Sequence, residues 1–363
     1  MMVNALIAWS LRLRPIVLTT IMVAGALSPS GRALTADIAP KSASPGTPYT
    51  RPVPFGLEDL DSYVPKDNPL TQEKVELGRL LFFDTRLSAD NTVSCASCHI
   101  PQLAWTDGQK VSVGIHSQLA SRNGMTIVNR VYSTAQLWHG GPPSLEAQAI
   151  NPITKRVRMG IPSFSAAVNK LNGIKGYRER FQQVFGTDVT LDGVAKALAS
   201  FERTILSGNS PADRFDMGGE EHAISESAAR GLTIFQTKGR CTRCHSGFNF
   251  TDEAFHNLGI DWDTEVADLG RYKVTKDPDD IGAFKTPTLR EISKTSPYMH
   301  DGRFSTLEEV IEFYDKGGIQ NAHLSNLMIP LNLTTQEKSD LVEYLRALDG
   351  EGWVVAAPIK FPQ

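Results

Sequence analysis

With 363 residues, 41% hydrophobic and 21% charged, the chain has room for about two ordinary domains with sizeable cores, and it lacks the composition of a disordered polymer. A formal net charge of -3, with no block of like charges, excludes the basic stripe of a nucleic-acid binder and the charged tail of a membrane-surface or polyanion partner.

Arg12 and Arg14 precede the apolar run PIVLTTIMVAGAL, which ends in the small-residue stretch SPSGRALTA. A basic start, about a dozen apolar residues and a small-residue end read as a secretory signal over 1–36. The run is too short to span a bilayer unless it extends into an uncleaved anchor. Residues 37–55 are rich in Pro and Ser and read as a tether. The mature chain is therefore expected in the periplasm, without a membrane span.

The segment TQEKVELGRLLFF, 71–83, spaces Val75, Leu77, Leu80, Leu81 and Phe82 as one face of a helix. TLDGVAKALASFERTIL, 190–206, is a second amphipathic helix with Thr190 as its cap. Thr306 with Glu309 and Thr334 with Glu337 are capping-box patterns that open helices over 306–316 and 334–348. Alternating strand patterns are scarce, so the expected class is mainly α with long irregular loops. A weak repeat runs through the chain. Gly78 and Phe82 precede one cysteine pair, and Gly231 and Phe235 precede the other. An aromatic-Thr-Asp triplet follows each pair, at 105–107 and 250–252. This predicts duplication of a helix-then-cysteine unit, with a seam near 207–215.

All four cysteines fall in those pairs: Cys95 and Cys98, then Cys241 and Cys244, each pair followed at once by His99 or His245. Disulfides suit an exported chain, but a bridge across two residues is a redox device and leaves the histidines idle. A four-thiolate zinc site needs the two pairs to meet in space, and a thioredoxin-like motif wants a βαβ setting. Covalent c-type haem uses every residue, because two thiols attach the vinyl groups and the adjacent histidine ligates iron. Two such haems are expected, with His99 and His245 as axial ligands.

Several ordered pieces strengthen this: SRNGMTIVN, LWHGGPPSLEAQAINPI, SFERTILSGNSPADRF, CTRCHSGFNFTD, FKTPTLREI and SPYMHDGRFSTLEEVIEFY. In this combination, from about residue 56 to 350, the chain resembles the bacterial diheme cytochrome c peroxidases and their MauG-type relatives. The resemblance implies two cytochrome-c-like domains, 56–210 and 211–350, followed by a tail, 351–363. It implies that the N-terminal haem reacts with hydrogen peroxide and the C-terminal haem handles electrons. Trp138 matches a tryptophan that moves charge between the haems, although a core aromatic is the plainer role. Asn123, Thr295 and Pro297 match the positions that hold an inter-domain calcium ion, whose hard oxygen ligands suit it. Tyr314 stands where classical members place a methionine ligand and MauG-type members a tyrosine; Met328 and Met299 are the alternative ligands.

The chain also departs from the pattern. Arg158 stands where the family has a distal glutamate, and His139 and Gly141 stand where an Asp and an Arg are usual. Ile115 aligns with the removable distal histidine, beside His116. Arg158 can stabilise charge developing on a departing oxygen but cannot act as a base, which leaves His116 or His139 for that task. The expected function is an exported diheme peroxidase that takes electrons from a small cytochrome c or copper protein. The alternatives are an enzyme that oxidises residues of a protein substrate, and an electron carrier without peroxide turnover.

Overall fold

The computed structural model describes residues 46–363. The predicted signal, 1–36, and residues 37–45 of the predicted tether lie outside the described residues. Residues 46–55 lie against the body: Gln72 N–H donates to the Thr47 carbonyl at 2.8 Å, and Tyr49 N–H donates to Leu70 O at 3.2 Å.

The described chain is mainly helical. Its helices are α1 (Gln72–Phe83), α2 (Leu145–Ile150), α3 (Phe164–Asn172), α4 (Lys175–Phe185), α5 (Leu191–Glu202), α6 (Pro211–Asp216), α7 (Glu226–Gln236), α8 (Tyr272–Thr275), α9 (Leu307–Asp315) and α10 (Thr335–Arg346). One short antiparallel pair, β1 (Phe255–Asn257) with β2 (Ala283–Lys285), sets His256 opposite Phe284. The predicted caps are in place. Thr71 accepts from Lys74 N–H and Thr190 from Gly193 N–H. Both capping boxes, Thr306/Glu309 and Thr334/Glu337, close reciprocally. Helix α5 stops at Glu202, short of the predicted Leu206. There the Thr204 hydroxyl bonds back to Phe201 O at 2.7 Å, and the Arg203 guanidinium is clamped by Glu146.

Two large hydrophobic cores result, beside a small cluster of Val131, Tyr132 and Leu206. One gathers residues from Val75 to Ile205 and includes Trp353; the other gathers residues from Ala212 to Leu348. Each is built on one helix crossing, α1 over α5 and α7 over α10, and here the sequence repeat has its cause. A methyl group at Gly78 would overlap the Ala197 carbonyl on α5, and one at Gly231 would overlap the Asp340 carbonyl on α10. Only glycine lets the backbones approach so closely. One turn on, Phe82 packs on Phe201 with ring centroids 5.2 Å apart, and Phe235 packs on Tyr344 at 5.2 Å.

The C-terminal residues leave the second core and return over the first. Glu351 pairs with Gly208 through N–H···O bonds of 2.8 and 3.3 Å. Arg51 then takes the Gly352 carbonyl, and the buried Trp105 indole donates to Trp353 O at 2.8 Å. Further along, Arg79 holds Ala356 O at 3.0 Å and Arg86 holds Pro362 O at 2.8 Å, while Gly176 N–H reaches Gln363 O at 2.6 Å. Residues 351–363 thus form a strap across the first core.

Candidate functional site

Each helix crossing leads into a single 3-10 turn that carries a cysteine pair, Cys95–Ser97 in one half and Cys241–Arg243 in the other. The turn stacks the histidine on its own first cysteine: His99 N–H donates to Cys95 O at 3.0 Å and His245 N–H to Cys241 O at 2.8 Å. The aromatic residue of each triplet adopts a left-handed backbone, φ 62° at Trp105 and 50° at Phe250. This brings its carbonyl to the imidazole. The Nδ1 of His99 lies 3.0 Å from Trp105 O, and that of His245 lies 3.0 Å from Phe250 O. A carbonyl only accepts, so the proton sits on Nδ1 and Nε2 keeps its lone pair. Burial pushes both imidazoles below their ordinary range, which keeps them neutral.

Cys95, Cys98 and His99 line one cavity, of about 2000 Å³, and Cys241, Cys244 and His245 line a second, of about 1860 Å³, open mouths included. All four thiols are free. Burial raises Cys95, Cys98 and Cys241, the last to about 12. Thiols so reluctant to ionise make poor redox dithiols, and pairs in separate cavities do not form a four-thiolate zinc site. Among the described residues the one metal-capable cluster is Cys244, Asp252 and His256. There His256 Nε2 lies 2.8 Å from Asp252, which drives the carboxyl down to about 2 and the imidazole up to about 10. The remaining demands of a haem are met on both sides: a wide cavity, a neutral imidazole of fixed tautomer and two free thiols at its edge.

The second cavity contains Tyr314, Met328 and Met299 together. Burial and the neighbouring Cys244 and Cys241 push the Tyr314 phenol above its ordinary range, with no side-chain hydrogen bond contributing. Asn123, Thr295 and Pro297 also line this cavity. The Asn123 amide nitrogen donates to Gln109 O at 2.9 Å, which turns its oxygen the other way. Trp138 and Asn123 line both cavities, and the Trp138 indole donates to Asn123 O at 3.0 Å. Trp138 is thus a wall common to both cavities.

The first cavity includes Arg158, His139 and Gly141 in its lining. The Arg158 charge bears on Cys98 and His99. His139 has a buried Nδ1 without a partner, and burial, aided by Arg122, lowers it to about 4. His116 does not join them. It is exposed in a left-handed turn, its Nδ1 3.6 Å from Asp90, so its position gives no support to a role at this cavity. Ile115 is buried; its N–H donates to Arg158 O at 2.9 Å and its δ-carbon occupies the space above Gly160. Among the residues not singled out in the sequence, Gln148, Arg130 and Glu202 also face this cavity. Glu202 is 6% exposed, and burial raises its carboxyl to about 8. Its place at the end of an amphipathic helix, inside an otherwise apolar face, was the available signal.

A mainly helical fold built twice around one cysteine–histidine turn, with two wide cavities that share a tryptophan wall, defines a haem-binding oxidoreductase. The chain belongs to the di-haem cytochrome c peroxidase and MauG family: the family model described as di-haem cytochrome c peroxidase matches residues 72–222. It is 41% identical over 300 residues to the methylamine utilization protein MauG of Methylorubrum extorquens, an alignment covering 81% of this chain and 83% of that one. It is 36% identical over 347 residues to the cytochrome-c peroxidase IdrP1 of a Pseudomonas species, covering 87% and 89%. Its fold matches the crystal structure of a MauG-like protein associated with microbial copper homeostasis, with a TM-score of 0.75 and 31% identity, over 84% of this chain and 95% of that one. No helix among the described residues is long and apolar enough to cross a membrane.

Proposed function

We propose that the chain is an exported, periplasmic enzyme with two covalent c-type haems, one in each of two cytochrome-c-like domains, 56–210 and 211–350, that uses hydrogen peroxide at the first and exchanges electrons through the second. The observation that carries this is the repeated turn, in which two free thiols and a tautomer-fixed imidazole face one cavity. Cys95 with Cys98 and Cys241 with Cys244 would hold the two haems through thioether bonds. His99 and His245 offer Nε2 as axial ligands. When bound, haem iron supplies the site at which peroxide is activated and electrons are stored.

The side chains divide the remaining tasks. Arg158 offers a fixed positive charge where the departing oxygen gains negative charge. His139, rather than His116, is the histidine placed to take up a proton, because it lines the cavity neutral and with a free nitrogen. Tyr314 is held as a phenol by burial and gives up its proton only beside a cation. A ferric iron would be such a cation, and as its ligand Tyr314 would be a hard anion that favours the oxidised metal. Trp138, common to both cavities, is the charge-carrying residue between them. Asn123, with the carbonyls of Thr295 and Pro297, offers neutral oxygens to a structural calcium ion.

Electrons come from a partner protein, a small cytochrome c or a copper protein. Tyr314 favours a second reading, in which the partner is a protein whose own residues are oxidised. Membership in a family of enzymes weighs against a simple electron carrier. The test is addition of hydrogen peroxide to the ferric protein without reductant, followed by stopped-flow absorption. A change at both haems supports the tyrosine-ligated form of the proposal, and turnover only after partial reduction supports the classical peroxidase. Unchanged spectra with no peroxide consumed would sink both.

A further inference from the structure

Two hydrogen bonds meet on Trp105. Its indole Nε1–H donates to the carbonyl of Trp353, 248 residues away, at 2.8 Å. Its own carbonyl accepts from His99 Nδ1 at 3.0 Å. The ring between them is fully buried and packs edge-on against Phe82, Phe83 and Phe201, with centroids 5.7, 6.3 and 5.9 Å away. The Trp105 backbone is left-handed, φ 62°, a conformation disfavoured for a bulky residue and kept only where surroundings over-determine it. The preceding Ala104 is left-handed too, φ 48°. What fixes the ring therefore fixes the carbonyl that His99 reads.

The second half has no counterpart to this arrangement. Phe250 presents the same carbonyl to His245 at 3.0 Å, but a phenyl ring has no N–H to anchor. Trp353 belongs to the strap, which is tied down on both sides of it by Arg51 at Gly352 and by Arg79, Arg86 and Gly176 beyond.

We infer that the C-terminal strap is a positioning element for the first centre: through the Trp353 carbonyl and the Trp105 indole it fixes the hydrogen bond that orients and polarises His99. Trp105 is thus a positioning residue, and the end of the chain helps to set the donor strength of an imidazole in the other half. The inference rests on the reading of His99 as an iron ligand. A hydrogen bond from Nδ1–H to a carbonyl makes Nε2 a stronger donor and favours the oxidised metal. Loosening it weakens the donor and raises the midpoint potential of that centre alone.

The experiment is spectroelectrochemical titration of the haem-loaded protein, with resonance Raman of the iron–histidine stretch, for wild type, Trp105→Phe and a chain ending at Val355. Trp105→Phe gives the first half the chemistry of Phe250. The shortened chain keeps Trp353 but loses the anchors at Ala356, Pro362 and Gln363. The expected result is an upward shift of the first midpoint and a lowered iron–histidine frequency in Trp105→Phe, with the second centre unchanged. The shortened chain shifts in the same direction by less, and adding the truncation to Trp105→Phe shifts nothing further. A Trp105→Phe protein with two haems and both midpoints unmoved overturns the inference, as does an equal shift of both centres. If Trp105→Phe does not load two haems, the shortened chain decides, and an unmoved first midpoint there overturns it. A wild-type protein that carries fewer than two haems defeats the haem assignment instead.

Discussion

Replacing Glu202 with Gln tests whether a carboxyl facing the first cavity is held un-ionised. Burial drives it from its ordinary 4.5 up to about 8, reinforced by Glu146 and opposed by Arg203 and Arg130. Below pH 4.5 both folded and unfolded chains carry the proton. Between 4.5 and 8 the folded chain keeps it and the unfolded chain does not. The unfolded state therefore binds fewer protons, and stability falls as pH rises through that window. At ~1.36 kcal/mol per unit, the 3.5-unit gap (8 minus 4.5) amounts to about 5 kcal/mol lost by pH 8, an upper bound for one group. Glutamine keeps the shape and never ionises. Guanidinium unfolding of the haem-loaded protein, followed by the Soret band at pH 4 to 9, should show the variant gaining on wild type by ~1.4 kcal/mol per pH unit through the window and by a constant amount above it. A difference that does not vary with pH, or a variant less stable than wild type at pH 8, would refute the reasoning.

Gly78→Ala and Gly231→Ala should each cost ~1–3 kcal/mol or more, since the added methyl meets a backbone carbonyl rather than a flexible side chain. Calorimetry with haem counting should show each damaging its own half first. Tyr314→Phe should alter the ferric absorption of the second centre only, while Met328→Ala leaves both centres as they were. A sulfur-to-iron band lost in Met328→Ala would assign the ligand to methionine. Arg158→Gln should slow the reaction with peroxide ~10²-fold in stopped flow, the cost of removing one charge-stabilising donor. Treatment with a calcium chelator should lower activity and melting temperature together, and added calcium should restore both.

The parts of the site set by short spacings were legible in the sequence. Cys-x-x-Cys-His, the glycine four residues before a phenylalanine, and the Thr/Glu capping boxes each work through neighbours a turn or two away, and they took the expected form. What escaped was set by distant contacts. His116 and His139 looked equivalent from their sequence neighbourhood, yet one points to solvent beside Asp90 and the other lines the cavity. Helices α3 and α4 were missed because they are short and α4 is strongly charged, so their apolar faces, Ala167 with Leu171 and Tyr177 with Phe181, are narrow. Glu202 reads as one more charge in a helix unless its place inside the apolar face of α5 is weighed. Trp105 and Trp353 carry no mutual signature across 248 positions.

The strap also bears on the order in which the molecule can be made. A chain is synthesised from its N-terminus, and domains generally fold as they emerge. The first core, however, contains Trp353 and is laced by residues up to Gln363. Cys95 and Cys98 therefore become available long before the half that holds them can close. Until residues 353–363 arrive, that half lacks the contacts they make with it. The second half, whose core ends at Leu348, is tied to the residues just after it, where Asp349 holds Ser293 and Lys294 and the Gly350 N–H donates to Glu291. The half that begins first is thus the half finished last.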